Sequence, residues 1–376
     1  MSNYYTCIRQ IRNYASQILI ITMILLFPVC SFPVQKRSSM PLRAQPKKVE
    51  PSVLFPAIEK WNVPIEVELE YNLYAVTGES LFIPAPDNTL YKINLKDGKF
   101  ITFDDDRFSD IQNIFAYNNL IYLVSKNDIY SLNARNYEIK KLLSLEAPII
   151  HSKINNNIIL LLLKNQIISY DLSSNNFKSF SSDSSHEFID LLSYQSNIIG
   201  ISSDGYIIAY SDNAIKKWEL RLEGSLKTAG VIGNSVLYQP SHNYFYAIDL
   251  SRGHVKWKIM LGNEVNFQPL FSQNRIYIAP TNNLLYCLST KGNKIWVKPL
   301  KYRIITPFLD TNNEIIASVH PGELNSFSRK EGVELGKYSP QSKLLLNMYL
   351  YEKSLILIHP EKIVCVQKQE TPATKK

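Results

Sequence analysis

Cysteine is scarce in this sequence, with four residues in 376. Two of them, Cys7 and Cys30, lie in an N-terminal segment that is typical of a targeting signal. The other two, Cys287 and Cys365, occupy near-equivalent places in a repeat described below and lie two repeats apart, so we expect them to be distant in space. The sequence therefore predicts two free, buried thiols and no disulfide between them.

The central part of the chain has no excess charge of either sign. Of the 41 Lys and Arg residues, seven lie in 1–50 and three in 368–376, and of the 33 Asp and Glu residues one lies in each of these tails. Residues 51–367 thus carry 31 basic and 31 acidic side chains, and the formal charge of +8 belongs to the tails. Because a nucleic-acid-binding domain needs a basic face, we expect no nucleic-acid partner.

Motifs that would indicate catalysis or metal binding are also missing. There is no Gly-rich phosphate loop, and the "DDDR" run at 104–107 lacks the Gly and the spaced carboxylates of a calcium loop. The 202–204 segment (Ser-Ser-Asp) has no His nearby in the repeat, and His320 and His359, which recur 39 residues apart, lack further metal ligands. The sequence therefore predicts no catalytic residue, no metal site and no enzyme.

The apolar run near the N-terminus is too short for an ordinary membrane span. It covers residues 18–27, follows Arg9 and Arg12, and is typical of a signal peptide. "LLFPVC" resembles a bacterial lipobox, which makes Cys30 the lipidation candidate, although Val29 stands where a small residue is usual. Cleavage after Ser31 and an uncleaved anchor over 18–34 are the alternatives.

The dominant feature of the chain is a repeat of about 39 residues. One equivalent position recurs at intervals of 38 to 40 residues through eight apolar segments, at Tyr91, Tyr130, Ile168, Ile208, Tyr246, Tyr286, Asn325 and Cys365. Each segment consists of two apolar runs around a short turn rich in Asn, Asp and Gly, such as Asp87-Asn88 or Asp204-Gly205, which indicates a β-hairpin. A further apolar stretch lies on each side of most hairpins. Four strands in each of eight repeats predict an all-β, eight-bladed β-propeller.

The end of a repeat stands before the first complete repeat. "EKWNVPI" (59–65) matches "KKWELRL", "VKWKIML" and "KIWVKPL", so that Trp61 is in register with Trp218, Trp257 and Trp296. The last repeat ends near Gln367 and lacks its fourth strand. We therefore expect the N-terminal strand to complete the eighth blade and to close the ring, which removes exposed strand edges.

The fifth repeat carries a motif of a known family. Ala247, Asp249, Gly253 and Trp257 resemble the tryptophan-docking motif of pyrroloquinoline-quinone-type propeller repeats, in which the Trp packs between neighbouring blades. Blade six retains Gly292 and Trp296, blade four retains Ala209 and Trp218, and blade one retains Asn94 and Gly98, whereas blades two, three and seven lack the motif. Trp61 of the closing strand stands at the Trp position of blade eight.

This family contains quinoprotein dehydrogenases and non-enzymatic propellers such as the outer-membrane assembly lipoproteins of the BamB type. The size, the closing strand and the lipobox-like segment are similar to the second group, and the adjacent Cys pair of many dehydrogenases is missing. The resemblance therefore implies a scaffold without a cofactor in the bacterial envelope. It also implies protein partners in outer-membrane assembly and a periplasmic position, at the outer membrane if Cys30 is lipidated.

The sequence thus predicts a signal or anchor over 1–30, a flexible tether over 31–55, the propeller over 56–368 and a disordered tail over 369–376. Two other functions stay open: a quinoprotein or other enzyme that binds a ligand in the central channel, and an extracellular sensor or adhesion domain. The channel candidates are polar residues on or near the predicted innermost strands, namely Glu70, Asn266, Gln268, Arg303 and Asn347.

Overall fold

A computed structural model describes residues 52–69, 73–164, 166–181, 185–311, 313–340 and 344–369, apart from the side chain of Phe180. These residues form thirty-two β-strands and one short 3₁₀ helix at Asp106–Phe108. Within these ranges, no helix has the length and apolar character needed to cross a membrane. Cys30 and the predicted targeting segment lie outside the described residues.

The strands form eight antiparallel sheets of four strands, and each sheet is one blade. Blades one to four comprise β2 (Ala75–Thr77), β3 (Ser80–Pro84), β4 (Thr89–Asn94) and β5 (Phe100–Asp104); β6 (Asn113–Tyr117), β7 (Leu120–Val124), β8 (Asp128–Asn133) and β9 (Ile139–Ser144); β10 (His151–Asn155), β11 (Ile158–Leu163), β12 (Gln166–Asp171) and β13 (Asn176–Ser181); and β14 (Phe188–Tyr194), β15 (Asn197–Ser202), β16 (Tyr206–Ser211) and β17 (Lys216–Arg221).

Blades five to eight follow the same pattern. They comprise β18 (Val231–Gly233), β19 (Val236–Pro240), β20 (Tyr244–Asp249) and β21 (His254–Met260); β22 (Leu270–Ser272), β23 (Arg275–Ile278), β24 (Leu284–Ser289) and β25 (Lys294–Pro299); β26 (Leu309–Asp310), β27 (Glu314–Val319), β28 (Glu323–Ser328) and β29 (Glu334–Tyr338); and β30 (Asn347–Tyr351), β31 (Ser354–Ile358) and β32 (Lys362–Lys368), with β1 (Ala57–Pro64) as the outer strand of blade eight.

The N-terminal strand closes the ring, as the sequence predicted. β1 pairs antiparallel with β32, from Ala57 opposite Lys368 to Pro64 opposite Lys362, and a bulge lies next to Trp61. A core cluster joins Val63 and Ile65 of this closing segment to side chains of blades one and eight. The prediction of an eight-bladed propeller closed by an N-terminal strand is confirmed.

The hydrophobic core lies between the blades. The two middle strands of each blade are mostly buried, whereas outer strands such as β21 alternate between exposed and half-buried residues. Buried clusters fill the interface between each pair of neighbouring blades around the ring. Because each blade buries its faces against its neighbours, the stability of a blade depends on the blades on both sides of it.

The propeller begins earlier than the sequence predicted. Ser52, Leu54 and Phe55, which the sequence placed in the tether, are buried. Leu54 and Phe55 pack with side chains of blades seven and eight, and the Ser52 hydroxyl donates a 3.1 Å hydrogen bond to the buried carboxylate of Glu314 in blade seven. The prediction of a free tether is therefore wrong for residues 52–55. This short segment shows no strand or helix periodicity, so its sequence gave no sign that its side chains pack against the propeller.

Candidate protein-binding groove

The two faces of the propeller differ in their loops. In an antiparallel four-stranded blade, the turn between the two middle strands and the connection to the next blade share one end of the strands. We name this end, with segments such as 84–89 and 104–113, the loop face. The remaining turns lie on the opposite face, where β1 begins and β32 ends. The chain therefore enters the propeller on the opposite face.

The docking residues of the sequence motif lie on the opposite face, between blades. Gly253 has φ +68°, and a Cβ added to it would stand 2.4 Å from the ring of Trp218 in the preceding blade. Trp218 Nε1 donates to the carbonyl of Leu250 at 3.1 Å. Gly292 likewise faces Trp257. Each Trp thus docks onto the glycine turn of the next blade, where only a residue without a side chain leaves room for the ring.

The remaining motif residues shape the same turns. The Asp249 carboxylate accepts a 2.9 Å hydrogen bond from Ser251 N, and Ala247 lies opposite Trp257 across the strand pair. The residue opposite a docking Trp is small in each case: Ala209, Ala247, Cys287 and Cys365. Both cysteines are free and buried, as predicted, and burial raises the pKa of both thiols.

The sequence identified Gly98 but not Gly332 as a docking glycine. Gly332 of blade seven faces Trp296, and Gly98 of blade one faces Trp61 of the closing strand. Blade seven lacks the rest of the motif, and only its glycine at the repeat spacing could have shown its role. Trp61 Nε1 is buried and has no hydrogen-bond acceptor among the described residues. Its docking therefore rests on ring packing alone.

A cavity lies on the loop face at blades one to three. It has a volume of about 690 Å³, and seven of its ten lining residues are apolar, while Asp110, Gln112 and Lys126 supply polar surface. The lining residues come from the loop before β2, the two turns β3–β4 and β7–β8, and the connections that follow β5 and β9: Leu73, Pro84, Ala85, Pro86, Phe108, Asp110, Ile111, Gln112, Lys126 and Ile150. We name this cavity the loop-face groove.

The loops that form the groove are held by backbone hydrogen bonds. Ile149 N donates to the Lys126 carbonyl at 2.8 Å, and Ile150 N donates to the Leu162 carbonyl at 2.7 Å. The side chain of Asp105 caps the 3₁₀ helix and pairs with Arg107. The walls of the groove are therefore preformed, as is usual for a binding cleft.

A second cavity of about 520 Å³ continues the groove towards blade four. The two cavities share Ile150, whose side chain is 57 % exposed. The second one is also lined by Leu162, Leu163 and Phe188, together with Lys164, His186 and Glu187. Ile150 therefore lies between two open clefts whose lining combines apolar and polar residues, as is usual for a binding cleft.

The inner strands line a smaller cavity of about 200 Å³ with mixed polar and apolar residues. Lys153 lines it, and its ammonium group lies 3.2 Å from Asp190, which also contacts His151 Nε2 at 2.9 Å. Burial opposes ionisation of Asp190, but His151 and the charge of Lys153 outweigh this effect and hold the pKa of the carboxyl below its usual range. The charge of Lys153 in this cavity is therefore neutralised by the neighbouring carboxylate of Asp190.

Of the predicted channel residues, Gln268 lines this cavity and donates to the Gly230 carbonyl at 2.7 Å. Asn266 and Arg303 are exposed in connecting loops, and Asn347 accepts a hydrogen bond from Met348 N. Glu70 lies outside the described residues. The sequence missed Lys153, Asp190 and His151, because an isolated charged residue on an inner strand gives no signal of its partner.

The structure corrects one expectation about nucleophilic groups. The Ser-Ser-Asp segment has a His nearby, because His186 Nδ1 lies 3.0 Å from Asp204. The Ser202 hydroxyl donates to the same carboxylate and is fully buried. Asp204 stands between the two other groups, so this arrangement does not activate the serine as a nucleophile.

The described residues contain no group of three or more His, Cys, Asp or Glu side chains that could hold a metal ion. His359 is buried and contacts the Leu344 carbonyl, whereas His320 is exposed in its turn. The four Trp rings lie on outer strands and cannot form an aromatic floor in the channel. The described cavity residues do not fit a flat tricarboxylate quinone with its divalent ion.

Blade number and docking residues together resemble those of propellers built from pyrroloquinoline-quinone-type repeats. Residues 203–343, which are less than half of the chain, match the family model described as "Outer membrane protein assembly factor BamB". The resemblance predicted from the docking motif is thereby confirmed. No curated protein matches the chain at a significant level.

Solved structures share the fold at low sequence identity. BamB from Moraxella catarrhalis is 13 % identical with a TM-score of 0.65, and the match covers 84 % of this chain and 98 % of that one. The computationally designed Ika8 protein is 13 % identical with a TM-score of 0.65, and the match covers 81 % of this chain and 99 % of that one. Sqt1 from Saccharomyces cerevisiae is 10 % identical with a TM-score of 0.68, and the match covers 82 % of this chain and 98 % of that one. Such identities carry information about the fold alone.

Proposed function

We propose that the protein is a non-catalytic scaffold that is tethered to a membrane and binds a protein partner through the loop-face groove. The observation that carries this proposal is the groove itself, which combines apolar and polar lining residues, is preformed and open, and extends past the exposed Ile150. Large apolar clefts on the surface mark binding sites more often than they mark solvated loops.

The family match supports outer-membrane protein assembly as the process. The matching model is named for an outer-membrane protein assembly factor, and we infer the same role, in the periplasm of a bacterial cell, for this chain. The described chain enters on the opposite face. A tether attached there leaves the loop-face groove open to a partner.

Site-specific photo-crosslinking in intact cells tests this function. We expect a photoreactive residue in place of Ile150 to capture a component of the outer-membrane assembly machinery, identified by mass spectrometry. The control is the same residue in place of Ile215, which is 67 % exposed on the opposite face. The proposal fails if position 150 captures no assembly component, or if both positions capture the same proteins.

Replacement of Cys30 tests the tether. If Cys30 is lipidated, we expect Cys30→Ala to move the protein from the membrane fraction to the released fraction after a carbonate wash. A lipid chain contributes roughly 0.8 kcal/mol per buried CH₂, so the loss of the acyl chains removes the anchor. Cys7→Ala is the matched control. A Cys30→Ala protein that stays with the membranes would instead indicate an uncleaved apolar anchor over 18–34.

A further inference from the structure

Carboxylates outnumber cations in the turns and connections around the loop-face groove. Seven exposed carboxylates lie at this end of the strands: Asp87, Asp104, Asp106, Asp110 and Glu146 in or next to the segments that supply the groove, and Glu66 and Glu68 beside the turn of blade eight. Asp110 lines the groove itself, and Asp87 follows the lining residue Pro86. None of the seven forms an ion pair within the described ranges.

Charged residues on the opposite face are arranged differently. There Lys96 pairs with Glu79, and Lys99 lies 3.1 Å from Asp97, so that the charges of the first-blade turns are largely matched. The groove lining itself holds one carboxylate, Asp110, and one cation, Lys126, so the excess of negative charge lies in the surrounding segments. The neutral total charge of residues 51–367 therefore hides a local excess of negative charge around an apolar floor.

Unpaired carboxylates around an apolar cleft favour one kind of occupant. Like charges on neighbouring loops repel one another, and a cationic ligand relieves this repulsion while its apolar side chains cover the floor. Aliphatic contacts are available from Leu73, Ile111 and Ile150, and the carboxylates of Asp104, Asp106 and Asp110 lie in the connection that carries Phe108 and Ile111.

We propose that the loop-face groove binds a protein segment in which Lys or Arg residues alternate with apolar residues. The apolar side chains occupy the floor, and the cationic side chains face the carboxylate rim. This inference rests on the proposed function, since it specifies the chemistry of the partner that the scaffold takes. It places recognition at blades one to three.

The test uses the purified chain and a labelled peptide of about ten residues that alternates Lys or Arg with Leu or Val, which spans roughly 33 Å when extended. Fluorescence anisotropy should show saturable binding at low salt. Affinity should fall by about tenfold towards 1 M salt, where the Debye length is only about 3 Å. A peptide with Glu in place of each cation is the ligand control and should not bind.

Matched variants locate the site. The triple substitution Asp104→Asn, Asp106→Asn and Asp110→Asn should weaken binding by about tenfold at low salt and remove most of its salt dependence. Ile150→Ser should weaken binding at both salt concentrations. Asp212→Asn and Ile215→Ser, both on the opposite face, should change neither the affinity for the peptide nor its salt dependence.

Three results would overturn the inference: no saturable binding, equal binding of the Glu peptide, or binding that the groove variants leave intact. Self-association of the chain that the same groove variants abolish would assign the groove to a second copy and would also overturn it. The proposed function is tested separately. An assembly component captured at position 150, together with a failed peptide titration, would retain the scaffold and reject the basic segment.

Discussion

Deletion of residues 56–66 is expected to unfold the propeller at temperatures where the intact chain is folded. The deletion removes β1 and leaves the backbone of β32 unpaired, which creates an exposed strand edge and promotes aggregation. It also removes Val63 and Ile65 from the core between blades eight and one. Each buried aliphatic side chain contributes about 1.5–3 kcal/mol, so the total loss approaches the net stability of about 5–15 kcal/mol that is usual for a protein.

The control for this experiment is a somewhat longer deletion, residues 35–50, which lies in the predicted tether and should leave the melting temperature nearly unchanged. Both variants are compared by thermal melting followed by circular dichroism and by light scattering. If the two deletion variants melt at the same temperature, the closing strand does not stabilise the ring, and the eighth blade is stable with three strands.

Replacement of a docking glycine is expected to have the second-largest effect. Gly253→Ala forces a Cβ to within 2.4 Å of the Trp218 ring and places a side chain at φ +68°. The ring must move, and its hydrogen bond to Leu250 is lost with the packing. We expect a loss of about 3 kcal/mol in the free energy of unfolding, as is usual when overpacking adds to backbone strain.

Gly262→Ala is the matched control, because Gly262 has φ +75° and a Cβ there would meet no atom within 4 Å. This variant carries only the backbone cost, about 1 kcal/mol. Chemical denaturation of both variants measures the difference, which isolates the packing of the Trp ring on the glycine turn. Equal losses in the two variants would show that Trp218 docking contributes nothing beyond the conformation of the turn.

Charge balance illustrates how tertiary structure changes a conclusion drawn from composition. The "DDDR" run is an ordinary solvated loop when it is considered alone. In the folded chain, Asp105 is paired with Arg107, whereas Asp104 and Asp106 stay unpaired beside the groove. Composition sums charges over the whole chain, and binding depends on which charges share a face.

The sequence by itself determined the repeat, the number of blades and the closing strand. These features follow from local rules: turn residues recur with a constant period, apolar runs define strands, and a missing last strand has one matching partner, around Trp61. The small residues opposite the docking Trp rings, Cys287 and Cys365 among them, also follow from register within one repeat.

Only the tertiary structure decided the groove, the channel pair of Lys153 and Asp190, the packing of residues 52–55 and the docking role of Gly332. Each of these depends on contacts between segments from different blades or from loops that do not align between repeats. A periodic pattern specifies what each blade contains, but loops of unequal sequence meet only after the ring has closed. In such a fold, binding sites are therefore expected in the loops between strands, whose sequences do not follow the repeat.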